Sequence, residues 1–172
     1  VRINEFNYDD YLIAEVRQFI ELHNGGTSAV NIGNWVIEVG DVAVYYTYTI
    51  PAGTTIAAGG YWVVGQSGVT AVPEAVVDQP VNINLGDSGY SSASGNVANG
   101  KMYIALRNPS LIMLDAVAVE NYRTITLGPP AAAADILAQI GTGIWGDHAN
   151  ANTAATLTSQ GRFLDGLDTD NN

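Results

Sequence analysis

Residues 15–26 read EVRQFIELHNGG, and the order of apolar and polar side chains in them sets the class of the fold. In an extended chain Val16, Ile20 and Leu22 fall on one face, while Arg17, Glu21 and His23 fall on the other. A two-residue period of this kind marks a strand with a core on one side. Asn24-Gly25-Gly26 then reads as a turn, because Asn and Gly accept positive φ at little steric cost.

The same grammar recurs on either side. Strands are expected at residues 1–8, 15–23, 34–39, 42–50, 61–65, 81–85, 102–107 and 112–119, each rich in Val, Ile, Tyr, Trp or Thr. In the third of these Trp35, Ile37 and Val39 share a face with Glu38 opposite, and Phe19, Ile20, Trp35 and Trp62 are expected in the core. Pro51-Ala52-Gly53 and Ala58-Gly59-Gly60 supply further turns. Many short strands at this spacing favour a sandwich over an open sheet. Residues 87–100 (DSGYSSASGNVANG) read as a loop, and Gly128-Pro129-Pro130 as a break. A short helix is expected over 131–140 (AAAADILAQI), and 141–172 carry no firm periodicity. The expected organisation is thus a sandwich over 1–122 and a loop-rich extension over 123–172 packed on it.

Composition narrows the function classes. The chain has 172 residues, 47% of them apolar and 13% charged, enough for one packed core and too little charge for disorder. Seventeen acidic residues against six basic ones give a net charge of -11, and the basic residues form no cluster that could neutralise a phosphate backbone. Nucleic acid is therefore not an expected partner. There is no cysteine, so no disulfide and no thiolate metal site. No apolar run reaches membrane-spanning length. The start at Val1 rather than Met fits removal of a signal peptide or a trimmed chain.

An ordered set of segments resembles the bacterial, secreted branch of the lamin-tail domain family. It comprises Ile3-Asn4-Glu5, Phe19-Ile20-Glu21-Leu22-His23-Asn24, Val30-Asn31-Ile32-Gly33-Asn34-Trp35 and Ile50-Pro51-Ala52-Gly53-Thr54-Thr55-Ile56. Gly59-Gly60-Tyr61-Trp62-Val63-Val64 and Leu114-Asp115-Ala116-Val117 complete it. The closing residues 159–172 (SQGRFLDGLDTDNN) look like the end segment of secreted members, in which an Asp-Phe and a Thr-Pro-Gly stretch usually follow. The chain departs from the family in the insertion between Val119 and Thr156. The resemblance implies an all-β, immunoglobulin-like β-sandwich, with the short helix and irregular C-terminal extension added to it. It also implies a non-catalytic interaction module.

Several residue groups invite chemistry. Asp168-x-Asp170-x-Asn172, with Asp165 before it, reproduces the alternate-oxygen spacing that opens a Ca²⁺ loop, without the Gly and bidentate Glu that complete one. Asp165, Asp168, Asp170 and Asn172 are thus the candidate Ca²⁺ ligands, set against a plain acidic tail with Asx-turns. Glu5 and Glu21, on neighbouring strands, have the residue types of a glycosidase pair. With no accompanying motif they are better read as hydrogen-bond acceptors, with Arg17 or Arg107 as donors. His148 follows Asp147, but no nucleophile-elbow serine exists to complete a triad, so it and His23 read as surface or loop-packing residues. Tyr45, Tyr46, Tyr48, Trp62 and Trp145 could form a sugar-stacking platform, or be ordinary strand aromatics. Residues 42–50 form a strand with no Pro or Lys to guard it, which suits either pairing with another chain or a place inside the sandwich.

The expectation is a structural or adhesive module of an exported bacterial protein, secreted or at the cell surface. It would catalyse no reaction and need no obligatory cofactor. Its partners would be proteins or copies of itself. A carbohydrate-binding module, a filament or layer subunit joined by strand complementation, and a hydrolase are the alternatives, each requiring a different exposed feature.

Overall fold

A computed structural model describes residues 1–7, 18–40, 44–66, 77–81, 103–118 and 160–161. The strands are β1 (Arg2–Asn7), β2 (Phe19–His23), β3 (Val30–Asn31), β4 (Val36–Gly40), β5 (Val44–Thr49) and β6 (Thr55–Ile56). After them come β7 (Tyr61–Gly65), β8 (Gln79–Pro80), β9 (Tyr103–Arg107), β10 (Met113–Ala118) and β11 (Gln160–Gly161). Two main sheets result, ordered β11-β1-β2-β7-β8 and β10-β9-β4-β5, with β3-β6 as a separate ribbon. All pairings are antiparallel except β7 with β8.

The core lies between the sheets. Ile3, Phe6, Ile20, Leu22, Trp62 and Val64 enter from the first sheet, and Ile37, Val39, Ile104, Leu106 and Val117 from the second. Ile32, Ile50 and Ile56 close one end from the ribbon and its flanks. Ile20 and Leu22 are fully buried, as alternation in the opening stretch requires. In β1 a register shift between Ile3 and Glu5 turns both Ile3 and Phe6 inward although they are three residues apart.

Three expectations need correction. Phe19 lies on the opposite face of β2 from Ile20 and is only half-buried, outside the core. Of the strand expected at 81–85 only Val81 lies within the described residues; it directly follows Gln79–Pro80, which runs parallel to Val64 and Gly65 at a sheet edge, the position in which a proline does least harm. Gly25 and Gly26 do not take positive φ; Gly53 and Gly59 do, together with Asn34 and Leu111. Arg107 bonds to Glu38, not to Glu5 or Glu21. The helix expected at 131–140 lies outside the described residues.

Candidate interaction surface

A β-sandwich has four outer strands, and each must be short, covered or guarded to avoid pairing with other chains. In the first sheet the outer strands, β11 and β8, are two residues long. In the second sheet β10 is tied across to β1. The Asp115 carboxylate, fully buried, accepts the Ile3 amide at 2.7 Å, and the Arg2 guanidinium donates to the Leu114 carbonyl at 2.9 Å. That leaves β5.

β5 reads VYYTYT, six residues with no charge, Pro or Gly. Among the described residues it pairs with β4 alone, Thr49 opposite Val36 and Thr47 opposite Glu38. Tyr46 and Tyr48 pack against the core, whereas Thr47 and Thr49 are exposed. Val44, beyond a register shift, is 45% exposed. Burial raises the Tyr46 hydroxyl pKa, with a smaller contribution from Tyr48, and burial likewise raises that of Tyr48. Both tyrosines are thus neutral at physiological pH, and the edge presents main-chain donors and acceptors with no net charge.

The strands behind this edge are electrically quiet as well. β9 is buried along its whole length. On the face away from the core, the Glu38 carboxylate accepts Arg107 Nε at 3.1 Å and Nη2 at 3.2 Å, and the Tyr103 hydroxyl at 2.9 Å. The pair cancels charge beside β5. Breaking it by removing one partner would strand the other charge in a poorly hydrated place, at a cost of about 3–5 kcal/mol.

A second exposed feature is the β9–β10 hairpin tip. Leu111 and Ile112 are 62% and 61% exposed, and Leu111 sits at φ 60°, a conformation that costs a branched side chain about 1 kcal/mol or more. The tip is held rigid around Asn108. Its Oδ1 accepts the Ser110 and Ile112 amides at 2.9 and 3.0 Å, its carbonyl accepts the Leu111 amide, and its own amide donates to the Ile112 carbonyl. Arg107 Nη1 donates to the Leu111 carbonyl at 3.3 Å.

The described residues include some of those singled out in the sequence. Glu5 and Glu21 do face each other in register, and Glu21 accepts Asn4 Nδ2 at 2.8 Å. Trp62 is core, and Tyr46 and Tyr48 are half-buried against it, so these three form no open platform for a sugar. His23 is buried and stacked on Tyr61, with ring centroids 4.6 Å apart and Nδ1 without a partner, a packing rather than a surface histidine. Asp165, Asp168, Asp170, Asn172, Asp147, His148, Trp145, Arg17 and the side chain of Tyr45 lie outside the described residues. Among the described residues no group of acidic and histidine side chains could hold a metal ion, and no helix is long and apolar enough to cross a membrane.

Sequence reasoning missed the rigid Leu111-Ile112 tip and the tether through Asp115. The signals were present: two aliphatic residues directly after Asn108-Pro109-Ser110, and an acid within an apolar strand. Residues 1–121 match a family model described as Lamin Tail Domain. No curated protein matches the chain.

Proposed function

Since the chain belongs to the lamin tail domain family, whose immunoglobulin-like domains generally serve as protein-interaction modules, we propose that it is a structural or adhesive module of an exported bacterial protein. It works at the cell surface or in an extracellular structure, without catalysis. Its contact mode is strand addition to β5. The observation that carries this reading is the edge itself: six neutral residues, exposed at Val44, Thr47 and Thr49, whose strand pairs among the described residues with β4 alone, while the other described edges are short or tethered. Strand addition draws affinity from main-chain hydrogen bonds and specificity from alternate side chains, both of which β5 offers. The acidic, cysteine-free composition and the resemblance to secreted members support the exported setting.

The test is to pan a random-peptide library against the domain, then to follow hydrogen–deuterium exchange of the β5 amides with each recovered peptide. Extended peptides that slow exchange in β5 and leave β2 unchanged are the expected result. Peptides that protect other elements only, or a library that yields none, would overturn the edge as the contact site.

A further inference from the structure

We infer that the occupant of the β5 edge is the β5 edge of a second copy, running antiparallel about a two-fold axis through Thr47. The inference rests on the strand-addition reading and names its partner. Charge decides where a second copy can touch. Two chains of net charge -11 repel each other over most of their surfaces. β5 has no charge of its own, and among the described residues the carboxylate beside its outer face, Glu38 on β4, is matched by Arg107. Two copies can therefore meet along this strand with little local Coulomb cost.

The register follows from the pleat. An axis perpendicular to the sheet keeps both cores on the same side, so inward residues must meet inward residues. An axis at Thr47 sets Thr47 against its own copy and Tyr46 against Tyr48 of the other, twice. Cross-strand Thr–Thr and aromatic pairs are both favourable. An axis at Tyr46 would instead bring Val44, beyond the register shift, into the seam. The product is one continuous sheet, β10-β9-β4-β5 joined to its symmetry mate.

The chain's lack of cysteine makes the arrangement directly readable. Thr47→Cys places the only thiol of each copy on the axis, where opposed Cβ atoms lie about 4.5–5.5 Å apart and a disulfide can close with a small adjustment. Under mild oxidation Thr47→Cys should give a covalent dimer rapidly, and Thr49→Cys, which faces position 45 of the other copy, should not. Sedimentation equilibrium of the unmodified protein should show a reversible dimer, with a dissociation constant of about 10–100 µM for so short a seam. Added salt should tighten it by screening the repulsion between copies. Thr47→Lys and Thr47→Glu should each weaken dimerisation about tenfold or more by setting like charges opposite each other, and an equimolar mixture of the two should restore it.

A wild-type protein that stays monomeric into the millimolar range overturns the self-pairing. So does a dimer indifferent to both Thr47 charges, or equal cross-linking through Thr47→Cys and Thr49→Cys. Peptides that protect β5 in a strictly monomeric domain would sink the second-copy occupant and leave the interaction module standing.

Discussion

Replacing Asn24 with Ala should remove about 3 kcal/mol of stability, although Asn24 belongs to a surface connection by sequence. Its side chain is 1% exposed. Nδ2 donates toward the carbonyls of Ser28 at 2.9 Å, Ile56 at 3.1 Å and Ala57 at 2.9 Å, and Oδ1 accepts the Gly26 amide at 3.1 Å. The backbone bonds of residue 24 to Gly59 and Gly60 survive the substitution. What is lost is the bridge between the turn after β2 and the turn before β7. The Ile56 carbonyl is buried and keeps its full desolvation cost of about 1–3 kcal/mol, while water can replace part of the other contacts at about 0.5–1 kcal/mol each. Urea unfolding reads the sum as a fall in midpoint at unchanged slope.

Asn24→Asp sharpens the same test. A carboxylate there would confront three carbonyl oxygens with no hydrogen to donate, so its pKa in the folded protein would rise above the unfolded value. The folded variant then binds more protons than the unfolded one, and its stability grows as pH falls through that raised pKa. At neutral pH Asn24→Asp should be less stable than Asn24→Ala, and the gap should close in acid. A loss below about 1 kcal/mol for Asn24→Ala, or a flat pH response for Asn24→Asp, would show that the bridge does not hold the turns together.

Gly33→Ala should cost about 2–3 kcal/mol, because an added Cβ would lie 2.6 Å from the Gly53 amide nitrogen and 3.1 Å from Ala52 Cα, both backbone; Gly25→Ala, whose nearest neighbour would be 3.6 Å away, is the control in the same denaturation series. Leu111→Asn should raise the thermal midpoint by relieving about 0.5–1 kcal/mol of positive-φ strain, and a fall would show that the exposed leucine packs more firmly than its surface suggests. The raised tyrosine pKa values predict a loss of stability on the alkaline side. Tyr46 and Tyr48 hold their protons more tightly in the folded state, so stability is full below the ordinary tyrosine range and falls as pH rises through and above it. Chemical denaturation across that range should show the fall, and the Tyr46→Phe, Tyr48→Phe double variant should show a flatter one.

The parts of the fold legible in the sequence are those governed by local alternation. Ile20 and Leu22, and Ile37 and Val39, follow a two-residue period, and the structure buries them accordingly, while the continuous apolar run of β7 is buried on both faces from Trp62 to Gly65. Where pairing bends the chain, the period fails. Ile3 and Phe6 would point to opposite faces of a regular strand, and only the register shift against β2 brings both inward. The ribbon of β3 and β6 is two residues a side, too short for any periodic signal. The turn glycines were half readable. Gly53 and Gly59 take positive φ, but so does Leu111, which no propensity would place there and which its hydrogen-bonded tip holds in position.

The interaction edge was legible in chemistry and invisible in position, and the contrast between β5 and β9 shows why. β9 carries a formal charge at Arg107 and is buried throughout, whereas β5 carries none and is exposed at every second residue from Thr47. Charge content alone would exchange their places. Arg107 is tolerated inside because Glu38, on a strand nearly seventy positions earlier, lies two residues along from Val36, the residue opposite Arg107, and accepts two hydrogen bonds. No local pattern encodes that meeting. Burial cannot account for the missing charges of β5 in the same way, since Thr47 and Thr49 face solvent in the single chain. A lysine there would cost the isolated domain little and would protect it from association. Its absence is what a strand requires when another strand is to lie against it.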